Sequence, residues 1–217
     1  MQAAVHHKGY PVPAHVRELV CCHLFETKAP RQTMKIFGKE GVCRRDAVWL
    51  ATRDARSLTP LYRVDTTKSP MHPTHLEDGP RPAEMPVELQ AFLDDLQCHF
   101  GLTHQFNHVV AHQYVDGNDV ITRHHDKDRD ITPGSVILSM SLGATRDFCL
   151  GNETFPLEDG DLVLLPYELN KQVKHAVPAR RGVTGKRWSI TARSIDTYFD
   201  FDTRKFATRY DADVRYV

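Results

Sequence analysis

The stretch from Ile121 to Gly134, ITRHHDKDRDITPG, sets two adjacent histidines against three aspartates. If DVITRHHD is a strand, side chains alternate between faces, so His124 and Asp126 share one side and His125 takes the other. An imidazole and a carboxylate so placed suit a divalent first-row metal. Two histidines, one carboxylate and open positions are the ligand set of non-haem Fe(II) oxygen chemistry. The third ligand must come from elsewhere. His175, in NKQVKHAVPARRG just after the apolar run DLVLLP, is the candidate. A His-x-Asp pair is common by chance, and the stretch also reads as a solvated charged loop. KRWSITARS gives the pair weight. Its Arg187 and Arg193 fall on one face of a strand of alternating character. Guanidinium groups beside a metal suit a dicarboxylate, which they grip through a bidentate fork.

These residues need a scaffold. HVVAHQYV, DVITRHHD, SVILSMSLG, RDFCLG, DLVLLP and RWSITARS are short and rich in β-branched or aromatic residues, with turn signals between them. Strands at this spacing predict a sandwich or jelly roll. Helices are expected before it. VPAHVRELVCCHLFET places Val16, Leu19, Val20 and Leu24 near helical spacing. PVELQAFLDDLQCHFG puts Leu89, Phe92, Leu93, Leu96 and Phe100 on one face, with Pro86 before and Gly101 after. The proline-rich residues 66–86 are expected to be a loop. The tail after Ser194 reads equally as an edge strand, a packed extension or a partner surface. The class is therefore α+β.

A chain of 217 residues can bury a substantial core. Its 41% hydrophobic and 26% charged residues fit an ordinary soluble protein, and its formal net charge of zero supplies no global field for nucleic acid. No apolar run approaches the ~18 residues of a membrane span, so no membrane partner is expected. MQAAVHHKGYPVP lacks the apolar stretch of a secretion signal. The five cysteines are odd in number and show no CxxC spacing. A reducing intracellular compartment, cytoplasm or nucleus, is the expectation.

The ordered pattern His124-x-Asp126, His175, Arg187-x5-Arg193 resembles the AlkB family of Fe(II)/2-oxoglutarate dioxygenases. FNHVVAHQYVDGNDVITRHHDKDRDITPGSVILSMSLGATRDFCL is similar to the family's core stretch, and PRQTMKIFG, Pro30 to Gly38, to its nucleotide-recognition lid. The resemblance implies a double-stranded β-helix core with N-terminal helices. It implies an extension over 1–27, the dioxygenase domain over 28–195 with its lid at about 28–66, and a second extension over 196–217. By the same resemblance His124, Asp126 and His175 hold Fe(II). Arg187 takes the distal carboxylate of 2-oxoglutarate and Arg193 lies near its chelating end. Tyr114, Ser189, Thr191 and His112 complete the cosubstrate contacts. Many relatives carry Asn where this chain has His112. Asp128 is the acidic residue that contacts the target base or orders the site. Arg31, Phe37, Gly38, Tyr62 and Val64 are the expected substrate contacts, with Val64 standing where relatives often carry a stacking aromatic.

The implied reaction consumes 2-oxoglutarate and O2 and removes N-methyl groups from bases of DNA or RNA, as in alkylation repair. It releases formaldehyde, succinate and CO2. Single strands are the expected preference and a monomer the expected state. KIFGKEG and ARRGVTGK are candidate phosphate contacts. Two other readings compete: the same chemistry on a protein or small molecule, and a non-catalytic binding module, against which the intact ligand and arginine sets argue.

Overall fold

The computed structural model describes residues 3–26, 33–36, 39–53, 58–62, 82–203, 205–210 and 213–216. Its first half contains β1 (Val5–His7), α1 (Ala14–Glu18), β2 (Thr33–Ile36), β3 (Lys39–Val42), β4 (Asp46–Ala51), β5 (Thr59–Pro60), β6 (Ala83–Glu84) and α2 (Val87–His99). The barrel strands follow: β7 (His108–Tyr114), β8 (Ile121–His124), β9 (Val136–Gly143), β10 (Arg146–Leu150), β11 (Glu153–Leu157) and β12 (Leu162–Pro166). After these come α3 (Tyr167–Gln172), β13 (His175–Val177), β14 (Arg187–Arg193), β15 (Thr197–Asp200), β16 (Lys205–Tyr210) and β17 (Asp213–Tyr216).

The large sheet runs β1-β12-β9-β14-β7-β4-β6 and the small one β11-β10-β13-β8. From β7 to β14 the chain alternates between these sheets in the jelly-roll order. Residues of both meet in one interior cluster, including Tyr114, Phe148, Leu157, Val163 and Val177. The alternation of RWSITAR explains the placement of β14. Trp188, Ile190 and Ala192 face the helices, packing with Leu89, Leu93 and Leu96 of α2 and with Val16 and Val20. The polar residues between them then face into the barrel. Each fully buried leucine contributes about 1.5–3 kcal/mol. That is why a helix with an apolar face over a sheet with an apolar outer face forms this layer.

Both expected helices are present. The first continues from α1 into a π-helical turn at Leu19–His23. Two local expectations are corrected. DVITRHHD stops being a strand at His124, so Asp126 lies beyond the ladder. Ala83–Glu84, expected in a loop, pairs in parallel with Leu50–Ala51 at the sheet edge. α3 was not expected in YELNKQ. The tail forms a separate antiparallel sheet, β17-β16-β15-β5. The segment expected to be the lid contains the hairpin β2–β3. None of the five cysteines forms a disulfide. Among the described residues no helix is long and apolar enough to cross a membrane.

Two loops at the barrel rim are stapled together. Arg146, 1% exposed, donates to the carbonyls of Asp116, Gly117, Asp119 and Pro178. Gly117 exchanges backbone hydrogen bonds with Arg180 and Val183 at 2.9 and 2.8 Å. A Cβ at Gly117 would fall 2.0 Å from the Arg180 carbonyl oxygen, so only glycine fits. Gly117→Ala is expected to cost about 1–3 kcal/mol, the usual penalty of overpacking, read as a lowered urea midpoint. An unchanged midpoint would show that the two loops part without cost.

His108 is 0% exposed, and burial with the nearby Arg193 lowers its pKa to about 3. An unfolded histidine titrates near 6.5. Below that pH the unfolded chain gains a proton that the folded chain refuses, so stability falls as pH drops toward 3, by up to about 1.4 kcal/mol per pH unit. His108→Met is expected to flatten the stability–pH curve between about pH 6.5 and 4 by roughly 1 kcal/mol per unit. His112 shifts the same way and is present in both proteins, so the difference isolates His108. Parallel curves from urea denaturation would exclude this assignment.

Candidate metal and cosubstrate centre

His124 and His175 face each other directly across β8 and β13. Their ring centroids are 4.3 Å apart. Nε2 of His124 lies 3.5 Å, and Nε2 of His175 3.7 Å, from Oδ1 of Asp126. One ligand atom from each of the three lies within 4.8 Å of the others. A modest closure would bring all three onto one ion at bonds of about 2.0–2.2 Å. Nδ1 of His124 donates to the Thr122 carbonyl at 2.8 Å, which fixes the tautomer and leaves the Nε2 lone pair for a metal. Phe148 stacks on His175 at 5.9 Å.

Asp126 is oriented from two sides. Nε and Nη2 of Arg193 donate to its Oδ2 at 3.0 and 2.7 Å, leaving Oδ1 toward the histidines. Burial opposes its charge, but Arg193 and the two histidines outweigh burial and hold the carboxyl well below its usual range. Asn170 grips the Asp126 backbone.

The inward face of β14 carries the expected cosubstrate residues. Nε of Arg187 donates to the Ser141 hydroxyl at 2.9 Å, and its guanidinium stands 5.0 Å over the Tyr114 ring. Arg187 is 1% exposed, and its buried Nη1 has no hydrogen-bond partner. Among the described residues no carboxylate pairs with it. Burial lowers its pKa, the neighbouring Arg146 adding to the strain and Tyr114 opposing it. A buried cation with an unfilled donor fits a carboxylate ligand. Ser189 is buried with its hydroxyl 3.4 Å from that of Ser139. The Thr191 carbonyl accepts from Arg193 Nη1 at 3.5 Å. His112 pairs with Ser189 in the ladder. Burial and then Arg45, Arg193 and Arg187 hold it neutral.

The structure therefore gathers His124, Asp126, His175, Tyr114, His112, Arg187, Ser189, Thr191 and Arg193 in one barrel interior. It does not do the same for every expected substrate contact. Tyr62 is buried at 6% exposure rather than displayed. Its ring lies under Arg193 at 4.5 Å and its hydroxyl accepts from the Lys127 amide at 2.9 Å. It supports the metal loop because it is the apolar platform on which Arg193 rests. Asp128 is half-buried and opens a 3-10 turn, Asp128–Asp130. Arg31, Phe37, Gly38 and Val64 lie outside the described residues. Among the candidate phosphate contacts, Arg180 is paired with Asp147 at 3.3 Å. Sequence reasoning missed Arg146, Ser141 and Asn170 as supporting residues. Ser141 and Arg146 flank the SLG–RDF stretch, but Asn170 carries no local signal.

A family model described as the 2OG-Fe(II) oxygenase superfamily matches residues 8–193. The DNA oxidative demethylase ALKBH2 of Homo sapiens is 34% identical over 110 residues, covering 44% of this chain and 42% of that protein. Its counterpart in Mus musculus is 33% identical over 104 residues, covering 42% and 44%. The match spans less than half the length of these curated relatives. The solved structure of OsALKBH1 superposes with a TM-score of 0.51 at 15% identity, over 88% of this chain and 97% of that one, which is a likeness of fold. Motif order, jelly-roll core and these matches agree that the chain belongs to the AlkB family of the 2OG-Fe(II) oxygenase superfamily.

Proposed function

We propose that the protein is an Fe(II)- and 2-oxoglutarate-dependent dioxygenase that demethylates N-alkylated bases in nucleic acid, DNA in the first instance. The observation that carries this reading is the His124–Asp126–His175 cluster beside a buried Arg187 whose Nη1 lacks a partner. His124, Asp126 and His175 are assigned to Fe(II), and Arg187, with Tyr114 and Ser141 around it, to the distal carboxylate of 2-oxoglutarate. Arg193, Ser189, Thr191 and His112 line the remaining wall. When bound, iron and cosubstrate would supply the oxidising power for O2-dependent hydroxylation of a methyl group. The chain's own residues orient the ligands, exclude water and hold fixed charge. Arg193 keeps Asp126 ionised, and the Thr122 carbonyl, accepting from Nδ1 of His124, orients that ring with Nε2 toward Asp126. The nucleic-acid assignment is supported by the ALKBH2 relatives, which are named DNA oxidative demethylases. A base in a duplex has to be flipped out, at a few kcal/mol. With valine at position 64 in place of a stacking aromatic, single strands, which avoid that cost, are the preferred substrate.

Formaldehyde and succinate release is to be measured with single- and double-stranded oligonucleotides carrying 1-methyladenine or 3-methylcytosine, at two salt concentrations. Single strands should turn over faster, and higher salt should weaken binding. His124→Ala should abolish turnover while His125→Ala retains most of it. Arg187→Ala, which removes a buried charge-assisted pair of about 2–5 kcal/mol, should raise the 2-oxoglutarate requirement by orders of magnitude with metal binding intact. If iron and 2-oxoglutarate bind but no methylated oligonucleotide stimulates turnover, the nucleic-acid assignment falls. A protein or small-molecule substrate then replaces it.

A further inference from the structure

Asp126 lies past the end of β8, outside the ladder that fixes His124. Arg193 holds its carboxylate, but a grip on one oxygen leaves the backbone free to pivot. The Asn170 side chain removes that freedom. Its carbonyl oxygen accepts from the Asp126 amide at 2.9 Å, and its amide nitrogen donates to the Asp126 carbonyl at 2.9 Å. A carboxamide is suited to this because it presents an acceptor and a donor side by side, as a neighbouring strand would. Asn170 is 0% exposed, so both bonds are shielded from water. It stands on α3, which leads directly into β13 and its first residue, His175.

We propose that Asn170 is a positioning residue of the metal centre. Resting on the metal assignment above, the inference is that Asn170 ties the segment carrying Asp126 to the segment carrying His175. It thereby sets the separation of these two ligands before any ion binds. A purely structural Asn170 would fill a buried polar gap between α3 and the metal loop. Its loss would then lower stability without altering the ligands in molecules that remain folded.

The test uses Co(II) as a spectroscopic stand-in for Fe(II) on the full chain, comparing wild type with Asn170→Leu and Asn170→Ser. The expected result is a Co(II) dissociation constant raised about 10–100-fold, the range for groups that orient metal ligands, with altered visible bands. The metal-free circular dichroism should be unchanged. A folded variant that binds Co(II) within about twofold of wild type, with the same visible spectrum, would overturn the proposal. A second measurement needs no variant: the Asp126 amide of the metal-free wild type should be protected from hydrogen exchange. Exchange at the rate of an unstructured peptide would equally overturn it. A wild-type chain with a protected Asp126 amide that binds no Co(II) would refute the metal assignment itself, and the inference with it.

Discussion

The buried pair between Arg193 and Asp126 is the interaction on which the rest of the centre depends. The residues are 4% and 6% exposed, and either charge alone at that depth would carry a penalty of several kcal/mol. Both hydrogen bonds from Arg193 end on one oxygen, Oδ2. The pair therefore does more than neutralise. It decides which carboxylate oxygen faces the histidines. It also pins β14 of the large sheet to the chain leaving β8 of the small sheet, closing the barrel where the ligands converge. Tyr62 beneath Arg193 and Asn170 behind Asp126 hold the same junction from opposite sides.

Two other buried arginines are held in different ways in one barrel. Arg146 and Arg187 are each 1% exposed and both lie over the Tyr114 ring, at 5.5 and 5.0 Å. Arg146 donates to four backbone carbonyls and staples the rim loops. Arg187 donates to the Ser141 hydroxyl, and each of the two arginines keeps one buried N–H without a partner, Nε of Arg146 and Nη1 of Arg187. An arginine held by side-chain hydroxyls has more to gain from an incoming carboxylate than one that grips four backbone carbonyls. That contrast, more than burial itself, separates the stapling Arg146 from Arg187, the arginine proposed to bind the cosubstrate.

Much of this was legible in the sequence because it is written in local pattern. Alternation in RWSITAR separates the arginines from the apolar residues facing α2. Heptad-like spacing in PVELQAFLDDL marks α2, and β-branched runs mark the barrel strands. What local pattern does not carry depends on contacts distant in sequence. Alternation put Asp126 on the side of His124, but the strand has ended by then. Its position comes from Arg193 and Asn170, 67 and 44 residues away. Tyr62 is an expected substrate contact through the family resemblance alone. Its burial follows from Trp49, His108 and Arg193 crowding around it.

The histidine at position 112 follows from the same electrostatics. His112 brings into the wall a group that can become charged. Here it cannot do so readily. Burial disfavours the imidazolium, and Arg45, Arg193 and Arg187 all repel it, against a weaker attraction from Asp126. His112 is thus confined to its neutral form, which offers one donor and one acceptor, as a carboxamide does. The arginines proposed to receive a dicarboxylate thus also confine the imidazole at position 112 to a donor–acceptor role. The barrel keeps its positive charge on guanidinium groups, while burial holds the wall histidines His108 and His112 toward their neutral form.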